Sequence, residues 1–423
     1  MEITQFGGGY SFAGCQRPAE VQILFLCVAR KFLKGHCLST KWILRMTCLS
    51  QVAAVGILFT FEAVRMKDVG IGETAIGIIL GISSGVFMLS SLFWGRLADH
   101  KHWHKNIALF GSLGFTALLI YFSFCSSVWQ FLAYSIIKGI LGPMVFGMMP
   151  ALAVRMFGPK RQGRDFGVYR AFGSLGFILG SMTLPILFNE IQTVARFGAL
   201  ICLSSVFLLW NLSESEINRP SASPLRIREL NGVIRLFLIS FFFITFAEPA
   251  VGGFFTAYVR ELGGSTRLLG ILSGIMGLMA LIFLPLMGKW TERTNHSFVI
   301  SIAFLAQPVR VYITSFIGQA EMLWIPALFH GICWGGIEVA AILYLASLVK
   351  DGQKATVLSY YMATRMLGNL AGASLSGYVA ETYGYELMFQ TMAAAALVGV
   401  CIYVLGTYVF KITHSFPKEQ IAR

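Results

Sequence analysis

The feature that most constrains this chain is a row of roughly twelve apolar runs, each about 20 residues long and separated by short polar pieces. A helix of that length rises about 30 Å, the thickness of a bilayer's hydrocarbon layer, and satisfies its own backbone hydrogen bonds there. Composition agrees, because 56% of the 423 residues are hydrophobic and only 13% are charged, against about 25% charged in soluble domains. Two or three soluble domains of this total length would need more charge to coat their surfaces. The sequence therefore predicts an all-α membrane protein whose spans lie near 42–64, 75–97, 106–126, 128–156, 167–189, 192–212, 232–258, 267–289, 298–318, 322–349, 356–380 and 386–410.

The charge balance is strongly basic, with 33 Lys and Arg against 20 Asp and Glu. Nucleic-acid binding would gather those cations into a patch, but here they fall in short pieces between apolar runs. Roughly 22 of them fall on one side of the membrane when loops are taken alternately, and only Arg65, Lys67 and Arg260 fall in loops on the other. The asymmetry places both termini in the cytoplasm, in a multi-pass protein of a plasma or inner membrane. Domain boundaries follow: a cytoplasmic N-terminal extension at 1–41, a six-helix half at 42–212, a central cytoplasmic loop at 213–231, a second six-helix half at 232–410 and a tail at 411–423. The apolar run Val21 to Val28 is short and leads into Arg30, Lys31 and Lys34, which does not make a cleavable signal peptide. The eight cysteines form no C-x-x-C pair, and the loop histidines His100, His102 and His104 have Asp99 as their one nearby carboxylate. Neither pattern makes a metal or cofactor site, so none is expected.

The two halves echo each other. Gly77, Gly81 and Gly95 recur as Gly270, Gly274 and Gly288, a shift of about 193 positions, and Asp99 recurs as Glu292. A second echo joins Arg170, Gly173 and Gly176 with Arg365, Gly368 and Ala371. Small residues at helical spacing let backbones approach closely, as packing inside a membrane requires.

With twelve spans, parallel halves and Gly95-Arg96-Leu97-Ala98-Asp99 after the second span, the chain resembles the major facilitator superfamily. Gly288-Lys289-Trp290-Thr291-Glu292-Arg293 is similar to a degraded copy of the same loop signature. The resemblance covers nearly everything beyond residue 41, and it implies two pseudo-symmetric six-helix bundles that alternate access by rocking. It also implies a gating loop at Gly95, Asp99, Gly288 and Glu292. The sequence departs from the family after Asp99, where His100-Lys101-His102-Trp103-His104-Lys105 stands. Phe329-His330-Gly331 and the segment from Phe166 to Gly176 resemble the lactose-permease-like branch, whose members carry sugars, nucleosides or aromatic acids. That likeness implies a proton-coupling group of Glu248 on span 7, Arg310 on span 9, and His330 and Glu338 on span 10. His330 and Glu338 stand eight residues apart, wider than the family's spacing of three.

Read from the residues themselves, an ionisable side chain in mid-span costs several kcal/mol unless it has a partner, a wet cavity or a task. Glu248 lies midway along span 7 and precedes Pro249, which cannot donate to the carbonyl of Thr245. A carboxyl and a freed carbonyl thus share one region, and an approaching cation would govern proton exchange. The alternative is a permanent Glu248–Arg310 bridge. His330, Trp334 and Glu338 follow at i, i+4 and i+8, one stripe of a helix. Within it the histidine can relay protons and the tryptophan can stack on a ring, or both can simply pack. Glu338 alternatively partners Arg365. Lys138, ten residues into its span, Trp334 and Arg365 are candidates for substrate binding, whereas a structural role pairs Arg170 and Arg365 with loop acids such as Asp165.

Gly81-Ile82-Ser83-Ser84-Gly85 fits a hydrolase elbow on paper, but it lies inside an apolar span rather than at a strand-turn-helix junction. The chain is therefore not read as an enzyme. It is read as a secondary transporter for a small organic solute, coupled to protons and working as a monomer in the lipid bilayer. Its rivals are an uncoupled facilitator and a receptor or partner-binding protein of the same fold, whose mark would be loss of mid-span charges. Topology is directly testable, because the triplets Asn211-Leu212-Ser213 and Asn295-His296-Ser297 both fall on the basic side. Expressed in a eukaryotic host, neither should carry a glycan; a mass shift removed by glycosidase would invert the topology.

Overall fold

A computed structural model describes residues 39–101, 103–157, 162–212, 230–349 and 353–409. Most of the 1–41 extension, nearly all of the 213–231 loop and the 411–423 tail lie outside the described residues, as do the side chains of Asp99 and Glu292. The described residues form twelve antiparallel helices and no strand. These are α1 (Thr40–Asp68), α2 (Glu73–Lys101), α3 (His104–Phe124), α4 (128–156), α5 (162–187), α6 (Ile191–Trp210), α7 (232–261), α8 (Thr266–Arg293), α9 (His296–Ser315), α10 (Ala320–Ser347), α11 (Lys354–Tyr383) and α12 (385–409). Ten are long and apolar enough to cross a membrane unaided. In α7 the apolar run is cut to Gly232–Phe246, and α11 carries Arg365, Asn369 and Glu381, so its place in the bundle depends on partners for those groups.

Helices α4, α7 and α10 are broken where their residues cannot sustain regular hydrogen bonding, and α5 carries a π-turn at Leu179–Thr183. In α7, Pro249 removes a donor, and the helix stops at Phe246, resumes as Glu248–Val251 and resumes again as Gly253–Glu261. In α4, Pro143 precedes a break at Gly147. Helix α10 is assembled from short pieces with a π-turn at Gly336–Ala340, and the Tyr361 hydroxyl of α11 donates to the Ile337 carbonyl within that turn at 2.6 Å. Irregular backbone of this kind persists inside a membrane protein only where other groups satisfy it or a cavity is lined.

The repeated glycines explain the packing. A methyl group added at Gly81 of α2 would lie 2.9 Å from the Leu370 carbonyl oxygen of α11, and one at Gly77 would collide with the Ala373 carbonyl. Their counterparts do the same at the other seam, where a methyl at Gly270 of α8 would sit 2.9 Å from the Ser181 carbonyl oxygen of α5. The second echo packs each half internally, with Gly176 against Leu49 of α1 and Gly368 against Phe242 of α7. Gly95 has nothing within 4 Å of an added methyl, and Gly288 meets only Val339 of its own half. The glycine contacts between halves therefore hold the end away from the basic loops, and the α2 and α8 glycines at the basic end are free of the opposite half. Outward faces carry exposed apolar side chains such as Leu89, Phe110, Phe207 and Tyr312, the surface a chain needs against lipid.

Gly77→Val should wedge α2 from α11 and loosen the end that is closed here. Spin labels at Trp129 and Tyr383, both exposed there in different halves, should show a longer distance population than the same labels on the parent. An unchanged distribution would mean the contact does not hold that end shut.

Candidate functional site

Four helices bring their mid-span charges to one place. Arg365 of α11 donates through Nε to Glu248 Oε2 at 3.1 Å, through Nη2 to Glu248 Oε1, and through Nη1 to Glu338 Oε1 of α10 at 2.8 Å. Asn369, one turn further along α11, donates to Glu248 Oε2 at 3.2 Å. Arg170 of α5 reaches from the other half to Glu338 Oε2 at 3.2 Å. Its side chain is 40% exposed, against 11% for Arg365, so the contact between halves is the wetter edge of the cluster.

A small cavity lies beside this cluster, lined by Phe59 of α1, Glu248, Val251 and Gly252 at the break in α7, Gln307 and Arg310 of α9, and His330, Cys333, Trp334 and Ile337 of α10. His330 and Trp334 stack with ring centroids 5.7 Å apart, and the Arg365 guanidinium lies 4.7 Å from the Trp334 ring, a cation–π contact. Arg310 is 2% exposed. Its Nη1 lies 3.1 Å from His330 Nδ1, and Nη2 donates to the Val251 carbonyl and the Met276 sulfur, each at 3.4 Å. A guanidinium only donates, so Nδ1 is the acceptor and the ring proton sits on Nε2.

Several sequence expectations change. Glu248 is not bridged to Arg310; its partners are Arg365 and Asn369, because the break in α7 turns the carboxylate toward α11. Arg170 and Arg365 do not serve loop acids. Asp165 is held by Lys41 at 2.6 Å and Arg45 at 3.4 Å, while both arginines lie well inside their helices and meet on Glu338. Glu338 does partner Arg365. Lys138 pairs with Glu62 of α1 beside the Tyr134 ring, and the residues lining the cavity include neither. Glu62 was invisible as a partner because it stands near the end of its span, where an acid reads as interfacial. Gly95 and Gly288 have open surroundings, and both lie inside helices, α2 (Glu73–Lys101) and α8 (Thr266–Arg293), rather than in the loops expected, because each helix runs on past its apolar span.

A second charged group, missed from sequence, closes the end opposite the basic loops. Lys67 of α1 contacts Glu261 at 2.8 Å and also Glu73, and Arg260 donates to Asp68 through Nε at 2.9 Å and Nη2 at 3.0 Å. Lys67-Asp68 and Arg260-Glu261 are related by the same shift of about 193 positions as the glycines, and so are the left-handed glycines Gly70 and Gly263 that follow them, both at φ 80°. Each half thus lends its cation to the other half's acid. The repeat itself was the signal that would have found this pair. Among the described residues no group of three or more His, Cys, Asp or Glu is placed to hold a metal.

Two six-helix halves, seamed at one end and with their mid-span charges gathered beside a cavity, are the architecture of a multi-pass membrane transporter. The model of the MFS_1 like family matches residues 41–391, and the chain belongs to that family. Curated relatives include the multidrug resistance protein MdtG of Rahnella sp. (strain Y9602), 24% identical over 83% of this chain and 89% of the relative. MdtG of Escherichia coli (strain K12 / DH10B) is also 24% identical, over 83% and 90%. Among solved structures, a variant of the nucleoside transporter NupG has a TM-score of 0.75 at 15% identity, covering 86% of this chain and 99% of that one. A bacterial homologue of the human lysosomal transporter Spinster, inward-facing and unoccupied, has a TM-score of 0.68 at 12% identity, covering 89% and 98%. The likeness to these structures is one of fold.

The Lys138 pair separates a structural from a binding role. Lys138→Met leaves the buried Glu62 carboxylate alone, a loss of about 3 kcal/mol or more, and should lower the melting temperature in detergent. The double variant Lys138→Met/Glu62→Gln should recover most of it. If the double variant melts no higher than the single one, the pair is not what holds α1 to α4.

Proposed function

We propose that this protein is a proton-coupled secondary transporter for a small organic solute of the sugar, nucleoside or aromatic-acid class, with the basic loops and both termini in the cytoplasm. The observation that carries the reading is Arg365 shared by two carboxylates, Glu248 and Glu338, beside the cavity, with Arg170 reaching Glu338 from the other half. Two guanidinium groups balance two carboxylates in this conformation. Rocking of the halves changes the one contact within this cluster that spans them, Arg170 to Glu338. Where Arg170 is out of reach, Glu338 loses one of its two guanidinium partners, and in a medium of low dielectric that loss favours uptake of a proton by the carboxylate. Proton loading is thereby tied to which face of the site is open, the condition for coupled transport. Gly95, Asp99, Gly288 and Glu292 act at the basic end as the gate, and Glu248 and Glu338 are the proton-carrying groups. Arg365 and Arg170 set their charge balance, His330 orients Arg310, and Trp334 lines the solute's path. The ion pairs Lys67–Glu261 and Arg260–Asp68 hold the opposite end shut.

The test is uptake of labelled sugars, nucleosides and aromatic acids by proteoliposomes, with and without an imposed pH gradient. One compound should accumulate only with the gradient and be released by a protonophore. With that compound, Glu248→Gln and Glu338→Gln each remove a titrating site, and each should lose uphill accumulation at least tenfold while keeping exchange between equal pools. Gradient-driven accumulation at the parent's level in both variants would make the cluster structural. Accumulation indifferent to the gradient in the parent would leave an uncoupled facilitator.

A further inference from the structure

We infer that the cavity is a binding site for a monovalent organic anion, a small monocarboxylate with an apolar or aromatic body, whose carboxylate pairs with Arg310. The inference rests on the transporter reading and names the solute within it. Of the mid-span cations singled out above, Lys138 has Glu62, Arg170 has Glu338, and Arg365 has Glu248 and Glu338 as carboxylate partners. Arg310 has none. It is 2% exposed, its partners are an imidazole nitrogen, a carbonyl and a thioether, and its Nε has no acceptor.

An uncompensated guanidinium held this deep is costly unless something brings it a negative charge. Glu248 makes no ion pair with Arg310 here, because both its oxygens face Arg365 and Asn369. The charge therefore comes from what enters the cavity. Arg310 lines it, and a guanidinium's planar fork of donors matches a carboxylate's two oxygens. His330, fixed by Arg310 with its proton on Nε2, supplies a further donor from the same wall.

The rest of the cavity sets the class. Phe59, Val251, Ile337 and the Trp334 indole present apolar surface. Gly252 leaves its side of the wall bare, since a methyl there would come within 3.5 Å of the Phe59 ring. The surplus is one positive charge, so a monoanion neutralises it, whereas a dianion brings a second charge beside Glu248. A neutral analogue leaves Arg310 as it was.

The experiment is equilibrium binding by calorimetry to the purified full-length protein in detergent, which needs neither transport nor a gradient. The probes are benzoate, 4-phenylbutyrate, indole-3-acetate and octanoate, with their neutral amides, and phenylsuccinate as the dianion. At least one monocarboxylate should bind tenfold or more tighter than its amide and than phenylsuccinate. Arg310→Gln should abolish that preference and Arg310→Lys should retain part of it. Arg310→Gln should also melt no lower than the parent without ligand, because it removes an uncompensated charge, and should lose the rise in melting temperature that the acid gives the parent. Failure of every monocarboxylate to bind, equal binding of acid and amide, or a preference that survives Arg310→Gln overturns the inference. Should Arg310→Gln not fold, the comparison of acid, amide and dianion on the parent decides alone. A bound acid that proteoliposomes do not carry would uphold the anion site and sink the transport reading, whereas pH-driven uptake of a neutral solute only would do the reverse.

Discussion

One constraint orders this molecule: a charge in the middle of a membrane span must be compensated by another group in the protein. Arg365 meets it for two carboxylates at once, joining α7 to α10 through α11. Regular helices would not bring those groups together unaided. Glu248 opens the short second piece of α7 because Pro249 ends the first, and Glu338 lies in the π-turn of α10, whose Ile337 carbonyl is satisfied by Tyr361. Broken backbone and charged cluster therefore explain each other. The breaks aim the carboxylates, and the arginine makes their burial tolerable.

The internal repeat explains the rest of the architecture. Equivalent glycines bring α2 against α11 and α8 against α5, and equivalent cation–acid pairs cross between the halves at the same end. One set of contacts written twice gives a seam with approximate two-fold symmetry. The mid-span charges do not repeat in this way. The first half holds a neutral Glu62–Lys138 pair, while the second holds the shared arginine, both of its carboxylates and Arg310. Arg170 is the first half's contribution to the cluster, so the symmetric part of the sequence builds the hinge and the asymmetric part builds the chemistry.

The spans were legible from sequence because a membrane reads length and polarity, and both are local properties. The mid-span candidates were legible for the same reason, since any charge at that depth is conspicuous. Their partners were not. Pairing depends on which way each side chain faces around its helix axis, and a proline break or π-turn resets that angle for every residue beyond it. Glu248 was thus expected on Arg310 and lies on Arg365, while Arg170 was expected on a loop acid and lies on Glu338. Glu338 and Arg365 were paired correctly as one of two readings, since they belong to neighbouring helices and need only a short reach. The latch at the end away from the basic loops was missed for another reason: Lys67-Asp68 and Arg260-Glu261 are charges at span ends, where solvent alone accounts for them.

The break in α7 also links the two proposed binding events. Its second piece, Glu248–Val251, is four residues long, begins with a carboxylate on Arg365 and ends with a carbonyl on Arg310. Gly252 follows at φ −104° and ψ −108°, so the segment is jointed rather than continuous with the helix beyond. A carboxylate arriving at Arg310 competes with the Val251 carbonyl for the same guanidinium, and loss of that bond frees one end of the segment whose other end holds Glu248. Charge added at the solute site is then felt at the proton site through four residues of backbone, without a long path through the bundle. Coupling of this kind needs a short element with two anchors, and the placement of Pro249 and Gly252 on either side of Val251 provides it.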